Sequence, residues 1–365
     1  MKTPRALGFR MPAEWEPHRA TWLAWPHNLT DWPGKFAPIP WAFAELARAL
    51  TRVERVRLLV ASEAMEVRAR RYLQKAGAEL TRIDFVRAAT NRSWTRDFLP
   101  LAVVRDAARG VELGAVKWRF DGWARYDDHR LDEAAGKSVA ARFARRAWEP
   151  GVVLEGGAIE VDGEGTLMVT EECLLTGPYP RAAELGRAGV ERALSDYLGV
   201  DKVLWLPAGI AGDDTSGHTD DFVRFVAPGR VVLCRESNPR DPNHRTLEAA
   251  REHLEGVTDA RGRHLELIPL PMPAPLYFDG QRVPASYANF YLANELVLVP
   301  TFNDPSDRVA LGTLAELFPA RAVIGIHALD LVLGLGTLHC STQQEPLPGY
   351  ELPRRTDQKQ SKPAR

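Results

Sequence analysis

Clusters of acid, base or nucleophilic side chains recur along this 365-residue chain at nearly even spacing, and that period limits the folds open to it. They are Trp94-Thr95-Arg96-Asp97, Leu154-Glu155-Gly156-Gly157, the run from Asp213 to Asp220, and Leu338-His339-Cys340-Ser341. Asp97 and Glu155 are 58 residues apart, Glu155 and His218 are 63 apart, and His218 and Cys340 are 122 apart, two steps of 61. Such a period predicts one structural unit repeated, with several copies each offering a side chain to a common point.

The hydrophobic pattern fills in the unit. Apolar residues returning every three or four positions predict helices over 39–51, 63–76, 132–148, 182–198, 244–254 and 307–318. Segments 158–161 and 166–170 flank Asp162-Gly163, and 222–226 and 230–234 flank Pro228-Gly229; both pairs read as hairpins. A further strand follows each helix, at 202–206, 264–270 and 321–326. The repeat is therefore strand, strand, helix, strand, and the similar helix starts at Asn238-Pro239 to Pro242 and Asn303-Asp304-Pro305 support it. Counting backwards gives about five units. This is an α/β chain, and five units closing in a ring would make a five-bladed pseudo-symmetric α/β propeller of ββαβ units; an open doubly wound sheet is the alternative. No linker divides the chain, so residues 1–352 read as one domain. The polar, basic tail 353–365 reads as disordered.

The 47 basic and 48 acidic residues nearly cancel, which argues against binding to nucleic acid or a membrane surface through bulk charge. No apolar run is long enough for a transmembrane helix, and the first ten residues lack the apolar core of a leader. Three widely separated cysteines make no disulfide framework, so a reducing cytoplasm is expected. Cys173 and Cys234 fall in strand-like segments and read as inert packing. Cys340 instead sits among Gly334, Gly336 and polar residues, a setting that suits a nucleophile facing a substrate.

A guanidinium is the cation that paired carboxylates match best, and Asp97 and Asp220 supply such a pair. A thiol at pH 7 is mostly protonated, so Cys340 would need activation by a cationic substrate or by His218. His218 would protonate a departing amine and then take a proton from water, with Glu155 holding it charged. Trp94 would lay its face against the alkyl chain or cation of the substrate, or else simply pack. The other readings are plain ones. Asp97 could pair with Arg96, Glu155-Gly156-Gly157 could be a turn, and the Asp213 to Asp221 run could be an acidic loop or a metal site. Adjacent strand residues face opposite ways, which would place His339 behind the site.

With these motifs in hand, the chain resembles the agmatine deiminase family, or bacterial peptidylarginine deiminase-like family, of the guanidino-group modifying (pentein) superfamily. The match runs from Met11-Pro12-Ala13-Glu14-Trp15 to Gln343-Gln344, through the clusters above and Ser286-Tyr287-Ala288-Asn289-Phe290-Tyr291. The resemblance implies a five-bladed α/β propeller that hydrolyses a guanidino group to a ureido group plus ammonia without a metal or other cofactor. It makes Cys340 the nucleophile, His218 the acid–base, Glu155 its support, and Asp97 and Asp220 the guanidinium carboxylates. Agmatine is the named substrate, with arginine or peptidyl-arginine as alternatives. The implied partner is this small molecule; a homo-oligomer is left open. Arg92, Leu99, Ala158 and Leu335 depart from the family pattern around the pocket. Arg92 stands where relatives have Asp, and would repel an ammonium if it faced the channel or be neutral if it faced solvent. A metal-dependent amidohydrolase and a non-catalytic guanidine-binding protein are the rival functions.

Overall fold

In the computed structural model, which describes residues 2–108 and 110–349, the period of the sequence becomes five sheets of like topology. The first unit holds β1 (His18–Ala24), α1 (Ile39–Leu50), β2 (Arg55–Val60), α2 (Glu63–Ala76) and β3 (Ile83–Arg87). After the one-turn helix α3 (Thr95–Phe98), the second holds β4 (Leu101–Ala107), β5 (Gly110–Val116), α4 (Arg130–Phe143) and β6 (Arg146–Trp148). The third holds β7 (Glu160–Val161), β8 (Thr166–Thr170), α5 (Gly186–Leu198) and β9 (Lys202–Leu206). The fourth holds β10 (Val223–Ala227), β11 (Arg230–Arg235), α6 (Pro242–Leu254) and β12 (Glu266–Pro271). A small hairpin of β13 (Tyr277–Phe278) and β14 (Gln281–Arg282) precedes the fifth, which holds β15 (Tyr291–Ala293), β16 (Leu296–Thr301), α7 (Ser306–Leu317) and β17 (Ala322–His327). The chain ends its described course in β18 (Gln343–Pro346).

In units two to five the first two strands are antiparallel and the second runs parallel to the third. Parallel neighbours need a crossover, and the unit's helix supplies it. The first unit takes its antiparallel strand from the far end of the chain: β18 pairs with β1, with Thr21 opposite Gln344. The ring is thereby closed, and the fold is a five-bladed α/β propeller of ββαβ units. Buried Trp22 and Trp32 fasten the closure, their indoles donating to Glu345 Oε2 and the Leu331 carbonyl, both at 2.9 Å.

The helix expected over 132–148 stops at Phe143, and Arg146–Trp148 is strand β6. Its Trp148 packs edge-on against Phe9, at 5.3 Å between ring centres, so tertiary packing overrides the helical pattern there. Residue 158 belongs to a 3₁₀ turn, leaving β7 only two residues. Cys173 is not on a strand either: β8 ends at Thr170 and Glu172–Thr176 forms a π-helical turn. Asp241 caps α6 by accepting from the Asn243 N–H, as the Asp-Pro start of that helix predicts. The tail expected to be disordered, 353–365, lies outside the described residues.

Candidate active site

Five short segments, one ahead of the first strand of each unit, run into a common buried centre. Asp97 stands four residues before β4, Glu155 five before β7, Asp220 three before β10, Asn289 two before β15 and Cys340 three before β18. All five are buried. The structure thus brings together every acid, base and nucleophile proposed from the sequence, and adds an amide.

Two local features let these chains approach. A Cβ on Gly157 would lie 2.5 Å from His218 Nδ1 and 3.0 Å from Asp97 Oδ1, so any side chain there would expel the histidine. Ser216 and Gly217 both take left-handed conformations (φ 66° and 97°), which turn His218 into the site. Asp213 holds that turn, its carboxylate accepting from the N–H groups of Thr215, Gly217 and His218 at 2.7, 2.8 and 3.0 Å.

His218 Nε2 lies 3.6 Å from Glu155 Oε2, and its Nδ1 lies 3.9 Å from Asp97 and 4.0 Å from Asp220. Burial alone would drive the ring neutral, but Asp97, the Cys173 sulfur and Glu155 outweigh it and hold His218 well above the usual imidazole range. Glu155 feels the same burial. The Arg181 guanidinium, 2.8 Å from Oε1 and equally buried, joins His218 in bringing its carboxyl down to about 2. Burial pushes Asp97 up to about 6, against the pull of His218. Its Oδ1 accepts from Gly157 N–H at 3.1 Å and its Oδ2 from the Trp123 indole at 2.9 Å.

Asp220 is held below the usual carboxylate range despite its burial, chiefly by His339, whose Nδ1 lies 2.6 Å from Oδ2. Its other oxygen, Oδ1, is buried with no hydrogen-bond partner, as are His218 Nε2 and Glu155 Oε2. Unsatisfied buried groups of this kind are costly, and a bound cation with several N–H donors would satisfy the carboxylates. Cys340 Sγ sits 3.7 Å from Asp220 Oδ2 and 3.1 Å from Asn289 Nδ2. Burial, then Asp220, Asp221 and Asp97, push its thiol well above the ordinary range, and the Asn289 contact works the other way.

Trp94 both packs and borders the site. Its ring lies 5.4 Å from that of Trp32, and a Cβ on Gly336 would meet it at 2.9 Å and Cys340 Cβ at 3.1 Å. Arg92 corrects both sequence readings, since it is neither free in the channel nor turned to solvent. It is buried, ion-paired with Asp31 and with Asp128 at 2.8 Å, and stacked 4.4 Å over the Tyr126 ring. Its charge is compensated in place. His339 does lie behind the site as expected, but in a turn and not on a strand, bridging Asp220 and Glu14 Oε2 at 2.7 Å.

Sequence reasoning missed Asn289, Arg181, Trp123 and Cys173. Asn289 stood inside a quoted motif but carries no acid or base. Arg181 gave no periodic signal. Cys173, taken as inert, has its sulfur within 4.8 Å of His218 and Glu155 donor atoms. Asp220, Asp221 and Cys340 form a second set with metal-ligand atoms that close together. The loop proposed as a metal site is otherwise committed: Asp213 braces its own turn and Asp214 accepts from the Tyr126 hydroxyl.

Residues 10–346 match the model of the Porphyromonas-type peptidyl-arginine deiminase family. The agmatine deiminase of Pseudomonas aeruginosa (strain LESB58) is 39% identical over 367 residues, covering 95% of this chain and 98% of that protein. The structure of the Enterococcus faecalis agmatine deiminase superposes with a TM-score of 0.86 at 31% identity, over 95% of this chain and 98% of that one. A substrate-bound agmatine deiminase of C. jejuni superposes with a TM-score of 0.83 at 26% identity, over 93% of this chain and 97% of that one.

Proposed function

The chain belongs to the Porphyromonas-type peptidyl-arginine deiminase family, and from that premise we propose that it hydrolyses agmatine to N-carbamoylputrescine and ammonia. The observation that carries this reading is the unpartnered Asp220 oxygen beside Asp97, Cys340 and His218 at the buried meeting point of the five units. A guanidinium placed there would donate N–H bonds to both carboxylates and present its carbon to the sulfur.

Burial, and then Asp220, Asp221 and Asp97, keep the Cys340 thiol protonated before the substrate seats. The incoming cation offsets their charge, and the thiol releases its proton to solvent as the substrate seats. Cys340 Sγ then attacks the guanidinium carbon. His218, held protonated, gives its proton to the departing nitrogen as the C–N bond breaks, and ammonia leaves behind a thiouronium on the sulfur. A water attacks the same carbon while His218 takes its proton. The C–S bond breaks, the thiolate returns, and the ureido product departs as its remaining hydroxyl proton passes through solvent to the released ammonia. Glu155 keeps His218 charged, with Arg181 fixing the carboxylate, and the Trp94 face flanks the alkyl chain.

With its charge taken up by Asp31 and Asp128, Arg92 does not count against the ammonium of agmatine. The reaction runs in this reading as a single unit over residues 1–352, without a metal, in the cytoplasm, where free Cys340 stays reduced. Among the described residues, no helix is long and apolar enough to cross a membrane. Ammonia release from agmatine, arginine and a peptidyl-arginine, each with and without a chelator, tests the reading. Agmatine should be hydrolysed fastest and be indifferent to the chelator. Preference for arginine or peptide, or abolition by the chelator, would overturn it.

A further inference from the structure

The sequence period contains one empty step, and the structure fills it. Between His218 and Cys340 the spacing spans two steps, and the sequence reading placed no catalytic acid or base in the unit between them. The fifth unit nevertheless sends a segment to the centre, and two residues before its first strand stands Asn289, whose Nδ2 lies 3.1 Å from Cys340 Sγ. We infer that Asn289 is a catalytic residue, an amide donor to the attacking sulfur that stabilises it as the thiolate. This rests on the reading of Cys340 as the nucleophile.

The orientation of the amide follows from its partners. Asn289 Oδ1 accepts the Thr337 hydroxyl at 2.7 Å and the His339 N–H at 3.0 Å. The Cys340 N–H points at the same oxygen from 3.4 Å. Turning the amide over would set its NH₂ against those donors and its oxygen against Asp221, so Nδ2 must face the sulfur. One of its two hydrogens goes to Asp221 Oδ1 at 3.1 Å and the other to Sγ. The residue is 1% exposed, which shields both bonds from bulk solvent.

The surroundings make such a donor necessary. The sulfur faces Asp97 from the second unit and Asp220 and Asp221 from the fourth, all of which oppose a second negative charge. His218 is drawn toward Glu155, Asp97 and Asp220, and the His339 ring is held between Asp220 and Glu14, so both imidazoles are already engaged. Arg96 reaches the segment only through backbone, its N–H bonding the Cys340 carbonyl at 3.2 Å and its Nε the His339 carbonyl. Among the described residues, Asn289 is the side chain left to donate to Sγ. A neutral amide does so without repelling the guanidinium, which a lysine or arginine in its place would do. The same amide also braces the nucleophile's loop through Oδ1, so donor and scaffold are joined in one side chain.

The test separates the two halves by a readout besides turnover. Alkylation of Cys340 by iodoacetamide is followed against pH by peptide mass spectrometry in the wild type, Asn289→Ala and Thr337→Val, each checked for folding by circular dichroism. Asn289→Ala removes the donor and should raise the alkylation midpoint by about one pH unit, as expected for a lost hydrogen bond to the charged form. Its kcat/KM on agmatine should fall on the order of a hundredfold, with the loss in kcat. Thr337→Val loosens the scaffold but leaves the donor, and should keep the wild-type midpoint. A folded Asn289→Ala that alkylates with the wild-type midpoint and keeps its kcat would overturn the inference, as would a Thr337→Val midpoint shifted as far. Should Asn289→Ala not fold, Asn289→Ser, whose hydroxyl is too short to reach the sulfur, is read by the same criteria. Turnover by Cys340→Ala would instead sink the nucleophile reading itself, which keeps the two failures apart.

Discussion

Burial and then Asp220, Asp221 and Asp97 hold the Cys340 thiol above its ordinary range, so in this account its ionisation waits on the cationic substrate. Cys173 is as buried, but its part is to touch the acid–base histidine from behind. Cys340→Ser should therefore lower kcat/KM by on the order of a thousandfold or more, because a hydroxyl is a far poorer nucleophile. Cys173→Ser should act mainly on stability, and equal losses in the two variants would contradict these assignments. Asp97 sets the acid limb. Its carboxyl, at about 6, must be ionised to bind the guanidinium, so kcat/KM should fall as pH drops through about 6. Asp97→Asn should be slow at every pH and lack that limb; an unchanged limb in the variant would assign it to another group.

Most elements were legible because each carries its own periodicity and stop signals. Those that were not are instructive. Trp148 turned a predicted helix end into β6 through its contact with Phe9, a partner 139 residues away that no local window contains. The π-helical turn after β8 is likewise set by tertiary context, and it places Cys173 near His218. Arg181, shortly beyond that turn, was invisible for the same reason: its importance lies in Glu155, in the segment ahead of β7. With both side chains fully buried, Arg181→Leu would leave the Glu155 charge with His218 alone, at a cost of about 3–5 kcal/mol. Urea unfolding of the variant measures it. Stability should also change with pH. The lowered Glu155 carboxyl contributes stability that is fully present above its unfolded value near 4.5 and is lost as pH falls toward about 2. A variant as stable as the wild type at pH 7 would show that the pair carries no such load.

For the whole molecule, the ring explains why catalytic types so far apart in sequence can be read as one set. Each unit delivers one segment to the same axial point, so spacing along the chain reports position around the ring. Spacing could not report which side chain a unit delivers when that side chain is neither acid nor base, and Asn289 was missed on those grounds. Nor could it report Arg92, whose meaning depends on Asp31 and Asp128 from loops outside its own motif. The account stands or falls on whether these five deliveries make a covalent hydrolase. Rapid quench of the enzyme with agmatine, followed by peptide mass spectrometry, addresses that directly. The account predicts a transient adduct on the Cys340 peptide equal to agmatine less ammonia, absent from the Cys173 and Cys234 peptides and from Cys340→Ala. Full turnover of agmatine with no adduct on Cys340 at any quench time, and undiminished turnover in Cys340→Ala, would contradict it.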